Sequence, residues 1–281
     1  MPVLLGENNY GESRVRLLRV VRQQDLNDIR DLTLAIRFEG DFEKAQSGGD
    51  NRKILPADTM KNTVYALARQ YPIEAIEEFC SHLTEHFLTY NAQVSRVRIE
   101  AAESAWTRIS RGSRPHAFAF TRAGEERRTA RITATREEVA VRAGIEGLIA
   151  LKTAKVSFKG FLRDPYTTQE EDRNRVLSTV IGAEWLYGPG DVEFGPIWHG
   201  VRQVLLETFA EHGSHSLQHA LYAMGEAVLS NFDSIREIHL ALPEKRYDLV
   251  ELQPFGMDNP GEIFQPSDEP QEVAEATLRK R

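Results

Sequence analysis

The feature that most constrains this chain is an order of periodicities that occurs twice: residues alternating with period two, then two helical stretches, then period two again. In the first half, Leu32, Leu34, Ile36 and Phe38 alternate with Thr33, Ala35 and Arg37, the pattern of a half-buried strand. Arg14 to Val21 supplies its partner strand through the polar turn at residues 23–28. One helix is predicted from Asp58 through Val64 and Leu67. A second, with Pro72 in its first turn, puts Ile73, Ile76, Phe79, Leu83 and Phe87 on one face. Strands return around Val97 and Ile99 and over Arg127 to Thr135.

The second half repeats the order without repeating the sequence. Strands are predicted over Ile145 to Lys152 and Leu177 to Tyr187, then a helix carrying Ile197, Val201, Leu205 and Phe209. Another helix carries Leu217, Leu221, Met224 and Val228, and strands follow at Ile238, Leu240, Leu242 and over Tyr247 to Leu252. Each half therefore reads as an antiparallel sheet with two helices on one face, an α+β layer arrangement. We place the two domains at 1–138 and 139–281. A sheet covered on one face leaves its other face and its edges in need of partners, which a ring-shaped oligomer supplies.

Charge and cysteine usage narrow the setting. A net charge of −7 is the wrong sign for a nucleic-acid surface, though one local arginine suffices to hold a small anion. The single cysteine, Cys80, makes no intrachain disulfide and no CxxC site, as expected of an intracellular protein. There is no charged-then-apolar leader and no apolar run of about 18 residues, so neither secretion nor membrane insertion is expected. The final Leu278-Arg279-Lys280-Arg281 is not a peroxisomal address. A cytoplasmic location follows as the expectation.

Familiar catalytic patterns are missing. Gly48-Gly49 reads as a loop tip, with no GxxxxGK[ST] cradle, and no GxSxG elbow occurs. His212, His215 and His219 have a spacing that can align imidazoles, but no cysteine or carboxylate nearby completes a metal set. A solvated or capping role is expected, and no metal. The arginine-rich segments 108–114 and 122–131 alternate with other residues as exposed strand faces do.

Four blocks resemble the urate oxidase (uricase) family. They are Leu5-Gly6-Glu7-Asn8-Asn9-Tyr10-Gly11, then Asp58-Thr59-Met60-Lys61-Asn62-Thr63, then Gly160-Phe161-Leu162-Arg163-Asp164 with Tyr166-Thr167-Thr168. The fourth, Gln253-Pro254-Phe255-Gly256 with Asp258-Asn259-Pro260, is similar to the bacterial branch. Together they span nearly the whole chain. The resemblance implies two tandem T-fold (tunnelling fold) domains, a homotetramer with sites at subunit interfaces, and oxidation of urate by dioxygen with neither metal nor flavin. No cofactor is therefore expected.

Residue by residue, the resemblance assigns Arg175 and Gln218 to the grip on the purine ring, Phe158 to the aromatic stacked on it, and Leu217 to a backbone contact beside the glutamine. This set is chemically coherent. A guanidinium offers a planar fork of donors, a carboxamide offers both a donor and an acceptor, and an aromatic face offers a flat apolar platform. Asp58 and Thr59 are expected to line the pocket from a neighbouring subunit.

The residues that handle protons and oxygen in the family are replaced. Glu12 stands where the family has lysine, Ala57 where it has threonine, and Glu244 and Arg246 where it has asparagine and histidine. Alanine carries no proton, and arginine stays protonated where histidine would serve as a base. Ordinary uricase activity is thus expected to be weak or absent. Should Glu12 and Arg246 reach one pocket, they form either a new acid/base device, with Glu12 as base and Arg246 stabilising charge, or an inert ion pair. Two functions stay open: an enzyme acting on a purine-like ring, and a non-catalytic purine-binding or assembly protein.

Overall fold

The computed structural model describes residues 3–172, 175–267, 269 and 272–281. The chain divides into two units, Met1–Gly144 with Val192–Gly195, and Ile145–Asp191 with Pro196–Arg281. In unit 1, strands β1 (Tyr10–Arg22), β2 (Asn27–Gly40), β3 (Val94–Arg111) and β4 (Arg114–Ala134) form antiparallel neighbours in that order. Between β2 and β3 the chain makes a short helix α1 (Glu43–Gly48), a 3-10 turn, and the helices α2 (Ala57–Gln70) and α3 (Ile76–Tyr90).

The alternation read from the sequence becomes a layer. Leu32, Leu34, Ile36 and Phe38 of β2, with Val97 and Ile99 of β3, are fully buried. They share one core with Met60 and Val64 of α2 and with Phe79, Leu83 and Phe87 of α3. Burying each such side chain contributes roughly 1.5–3 kcal/mol, so the helix layer is held mainly by this face. Cys80 lies within it, fully enclosed, and burial pushes its thiol pKa well above the ordinary range.

Helix α3 begins at Ile76, not in the turn holding Pro72. The intervening carbonyls are used elsewhere. Arg19 of β1 donates to the carbonyl of Tyr71, and Arg30 of β2 donates to that of Glu74 at 3.3 Å. Two strand arginines thus anchor the link in a non-helical form, while Ile73 still reaches the core.

Unit 2 takes up the end of β5 (Val139–Lys152), then β6 (Leu177–Tyr187), α4 (Phe194–Glu211), α5 (Leu217–Asn231) and β7 (Ile235–Lys245). The strands β8 (Tyr247–Leu249) and β9 (Phe264–Pro266) form a small hairpin-like pair, and β10 (Glu272–Arg279) runs antiparallel to β7. The sheet order here is β5-β6-β7-β10. Val201, Leu205 and Phe209 of α4 and Leu217, Leu221, Met224 and Val228 of α5 are buried, as their spacing predicts. Helix α5 lies so close to β10 that a Cβ at Gly225 would meet Leu278 at 2.9 Å.

Two features of unit 2 depart from the sequence reading. The strand predicted over Tyr247 to Leu252 stops at Leu249, because the chain turns into the 3-10 segment Gln253–Phe255 and leaves it through Gly256 at φ 70°. Strand β10 has no counterpart among the predicted elements; of its residues only Ala274 is fully buried.

Candidate functional site

The residues singled out by sequence fall into two clusters, one in each unit. In unit 1 the first cluster is built around a β-bulge. The β1–β2 register shifts between Glu12 and Val15, which leaves backbone N–H groups of β1 outside the ladder. The Glu12 carboxylate accepts from them, at 3.1 Å from Ser13 N and 3.4 Å from Arg14 N. Gly11 precedes it because a Cβ there would sit 1.9 Å from the Ile36 carbonyl oxygen. Tyr10 then ties the strand to the start of α2, its hydroxyl accepting from Leu55 N at 2.9 Å.

Ala57 is the first residue of α2 and is exposed, as are Asp58 and Thr59. The Asp58 carboxylate lies 2.6 Å from Lys61 Nζ and accepts from Asn62 at 3.2 Å. The hydrogen bond from Lys61 holds the Asp58 carboxyl below its usual range, and Asp58 in turn raises Lys61, with Glu12 adding a smaller push in the same sense. A lysine thus does stand near Glu12, supplied by the helix and not by β1. The Thr59 carbonyl accepts from Thr63 Oγ1.

In unit 2 the second cluster surrounds a cavity of about 290 Å³, lined by Phe158, Gln169, Arg175, Glu244, Arg246 and Phe264 among others. Backbone bridges assemble it. Val156 pairs in parallel with Ser214, just before α5, and Phe158 pairs with Asp172 through hydrogen bonds of 2.8 and 3.0 Å. Arg175 N donates to the Val156 carbonyl at 2.9 Å, so Phe158 and Arg175 are fixed side by side. The guanidinium carbon stands 5.7 Å from the centre of the Phe158 ring, which stacks in turn on Phe161 at 4.8 Å.

Glu244 is the residue whose part the sequence did not reveal. It lies at the end of β7, opposite Thr179 of β6 and Glu272 of β10, and is 1% exposed. Its two oxygens meet the two terminal nitrogens of Arg175, Oε1 to Nη1 at 3.0 Å and Oε2 to Nη2 at 3.3 Å. Such a fork-to-fork pair is geometrically demanding and strong. Burial raises the Glu244 pKa, Arg175 opposes that, and Glu272 reinforces it. After this pairing the Nε of Arg175 remains a buried donor with no hydrogen-bond partner. Buried donors are rarely left so.

The sequence leaves open whether Glu12 and Arg246 reach one pocket. Within their own units, Glu12 directs its carboxylate to the bulge, and Arg246, exposed, reaches Gln169 Oε1 at 3.5 Å. An acid–guanidinium pair is made by Glu244 and Arg175. Leu217 and Gln218 open α5; Leu217 is buried, whereas Gln218 is exposed and is not among the residues lining the cavity.

Two of the three histidines, His215 and His219, serve the same helix start. Ser216 caps α5 by accepting from His219 N, and His219 Nδ1 accepts from His215 N at 3.4 Å, a reciprocal cap. His215 Nδ1 contacts Ser157 Oγ at 3.1 Å. Among the described residues no group of three or more His, Cys, Asp or Glu side chains could hold a metal ion, and no helix is long and apolar enough to cross a membrane.

Comparison with known proteins accords with this architecture. The uricase family model matches residues 8–133 and 141–275. A uricase from Arthrobacter globiformis is 42% identical over 278 residues, covering 99% of this chain and 90% of that protein. One from Dictyostelium discoideum is 31% identical over 280 residues, covering 98% and 97%. The crystal structure of the Arthrobacter globiformis uricase superposes with a TM-score of 0.95, over 100% of this chain and 96% of that one. The α+β tandem T-fold is thereby shown. Matched along both units in sequence and in fold, the chain belongs to the uricase family.

Proposed function

We propose that this chain is a urate-oxidase-like enzyme that holds a urate-related purine ring in the unit 2 cavity and acts on it without metal or flavin. One observation carries the reading: the Arg175 guanidinium and the Phe158 ring, 5.7 Å apart, both line a cavity at the small end of ligand-pocket volumes. A flat bicyclic ring is of that size. It would stack on Phe158 and offer a carbonyl oxygen or ring nitrogen to the exposed part of the Arg175 guanidinium, while Gln218, at the exposed start of α5, would serve as a rim contact on its amide edge.

In this reading Glu12, Ala57, Glu244 and Arg246 replace the family's lysine, threonine, asparagine and histidine, so ordinary uricase turnover is weak. Glu12 is the base of the altered chemistry and Arg246 stabilises developing charge, while Asp58 and Thr59 complete the pocket from a neighbouring subunit of a homotetramer. The half-buried position of Glu12 beside the start of α2, with Lys61 near it, supports a role in moving protons.

The test is ultraviolet absorbance of urate and other oxopurines with the purified protein. Turnover of one of these rings is expected, at a rate far below that of the Arthrobacter globiformis uricase for urate. Glu12→Gln is expected to abolish that turnover and leave binding within about threefold. Binding of a ring with no spectral change would turn the reading to a non-catalytic purine-binding protein. Binding of none would end it.

A further inference from the structure

The aromatic wall of the unit 2 cavity has a second layer behind it. Phe158 lines the cavity, whereas Phe161 and Arg163 are not among its described lining residues. Yet the Phe161 ring lies nearly parallel to that of Phe158, with centres 4.8 Å apart and planes 11° from one another. The guanidinium carbon of Arg163 stands 5.0 Å from the centre of Phe161. The result is a stack of three, guanidinium on ring on ring, in which Phe158 is the member that meets the cavity. Phe161 takes one face of Phe158, so a ligand ring has the other.

The backbone is shaped to make this stack. Side chains three positions apart on a strand point to opposite faces, so Phe158 and Phe161 could not meet in extended chain. Gly160 reverses the chain between them at φ 66°, a left-handed conformation that favours glycine. Its N–H donates to Glu171 Oε1 at 3.0 Å. Glu171 precedes Asp172, whose backbone pairs with Phe158 through the 2.8 and 3.0 Å bonds. The turn is thus pinned to the same short ladder that carries Phe158. Both rings are only half-buried, so core packing alone does not fix their orientation. Freezing such a side chain when a ligand binds costs roughly two- to tenfold in affinity.

Resting on the proposal that this cavity holds a purine ring, we infer that Phe161 is a positioning residue of the site. It holds the Phe158 ring in its stacking orientation before the ligand arrives, and Arg163 holds Phe161 in place from behind. Phe158 is then ordered by folding and not by its occupant, and Phe161 acts without touching the purine.

Equilibrium dialysis of trace-labelled urate against the full-length protein, in oxygen-free buffer at neutral pH, tests this on a double-mutant cycle of Phe158→Leu and Phe161→Leu. Phe161→Leu alone is expected to weaken urate about threefold with the denaturant midpoint nearly unchanged, and Phe161→Tyr, which keeps the aromatic face, to bind as the wild type does. In the Phe158→Leu background the second substitution is expected to do nothing further, because a residue that acts only through Phe158 has nothing left to position. Arg163→Met is expected to weaken binding by about twofold, the lower end of an exposed cation–π contact. Phe161→Met serves in the same cycle if the leucine variant folds poorly. A Phe161→Leu protein that binds as the wild type does, or losses that add in the double variant, overturns the positioning role; if Phe158→Leu still weakens binding, the ring site itself survives. Urate binding unmoved by either single variant, or no binding at all, overturns both.

Discussion

In unit 1, Glu77 of α3 meets Arg128 of β4 at 2.6 Å, with side chains 0% and 8% exposed. In unit 2, Glu244 of β7 meets Arg175 at 3.0 Å, with side chains 2% and 19% exposed, beside a cavity. Both are buried acid–guanidinium pairs, and in both burial raises the pKa of the acid while the arginine opposes it. They differ in setting. The first pair is sealed under the helix layer, its arginine side chain 8% exposed. In the second the arginine side chain is 19% exposed and lines a cavity. The same chemistry thus acts as a cross-link between helix and sheet in one unit and as part of a cavity wall in the other.

The largest way to break that comparison is Arg128→Met. It leaves a carboxyl group sealed in the core of unit 1, and we expect a loss of roughly 3–5 kcal/mol in stability, read from the denaturant midpoint. Purine binding by the folded fraction should be unchanged, since Arg128 is not among the residues lining the cavity. A variant as stable as the wild type would mean that the Glu77 site is wetter than its burial indicates.

A smaller effect concerns pH. Glu77 and Glu244 both have folded-state pKa values raised above the ordinary carboxylate value. Each therefore contributes stability that is fully present below the unfolded-state pKa and is lost as pH rises through the raised folded one. Urea midpoints taken from neutral pH down into the carboxylate range should show both Glu77→Gln and Glu244→Gln losing ground relative to the wild type as pH falls. The more deeply sealed Glu77 should show the steeper difference. Profiles that run parallel to the wild type would remove the linkage.

The smallest expected effect is on Phe158. Replacing it with leucine keeps bulk but removes the aromatic face that stands 5.7 Å from Arg175. Ring binding should weaken by about three- to tenfold, with stability nearly constant. A Phe158→Leu protein that binds purines as the wild type does would show that the ring lies elsewhere in the cavity.

How much of this was legible in the sequence depends on the range of the interaction. The faces of α3 and α5 were readable because their apolar residues recur at helical spacing, a local signal that burial of Phe79, Leu83, Leu221 and Met224 reflects. Strand β10 was not, because in Glu272-Val273-Ala274-Glu275-Ala276-Thr277-Leu278 only Ala274 is fully buried, and its pairing is set by β7 about thirty residues earlier. Phe158 and Arg175 could be marked by resemblance, and the structure does set them side by side. Glu244 could be marked as a replacement, but not as the partner of Arg175: the two are 69 positions apart, and only the strand register brings them together. For the same reason the bulge whose N–H groups the Glu12 carboxylate answers was not legible, since no residue pattern announces it.

Cys80 has a use that its enclosure creates. Alkylating reagents attack thiolates, and this one is both shielded by α3 and its sheet and kept protonated by its surroundings. Modification must then wait for the helix layer of unit 1 to lift away, so the alkylation rate is a clock for that opening, read on a single sulfur without any label being introduced. Run with and without a purine, the clock reports how firmly an occupant in unit 2 is felt by the other half of the chain.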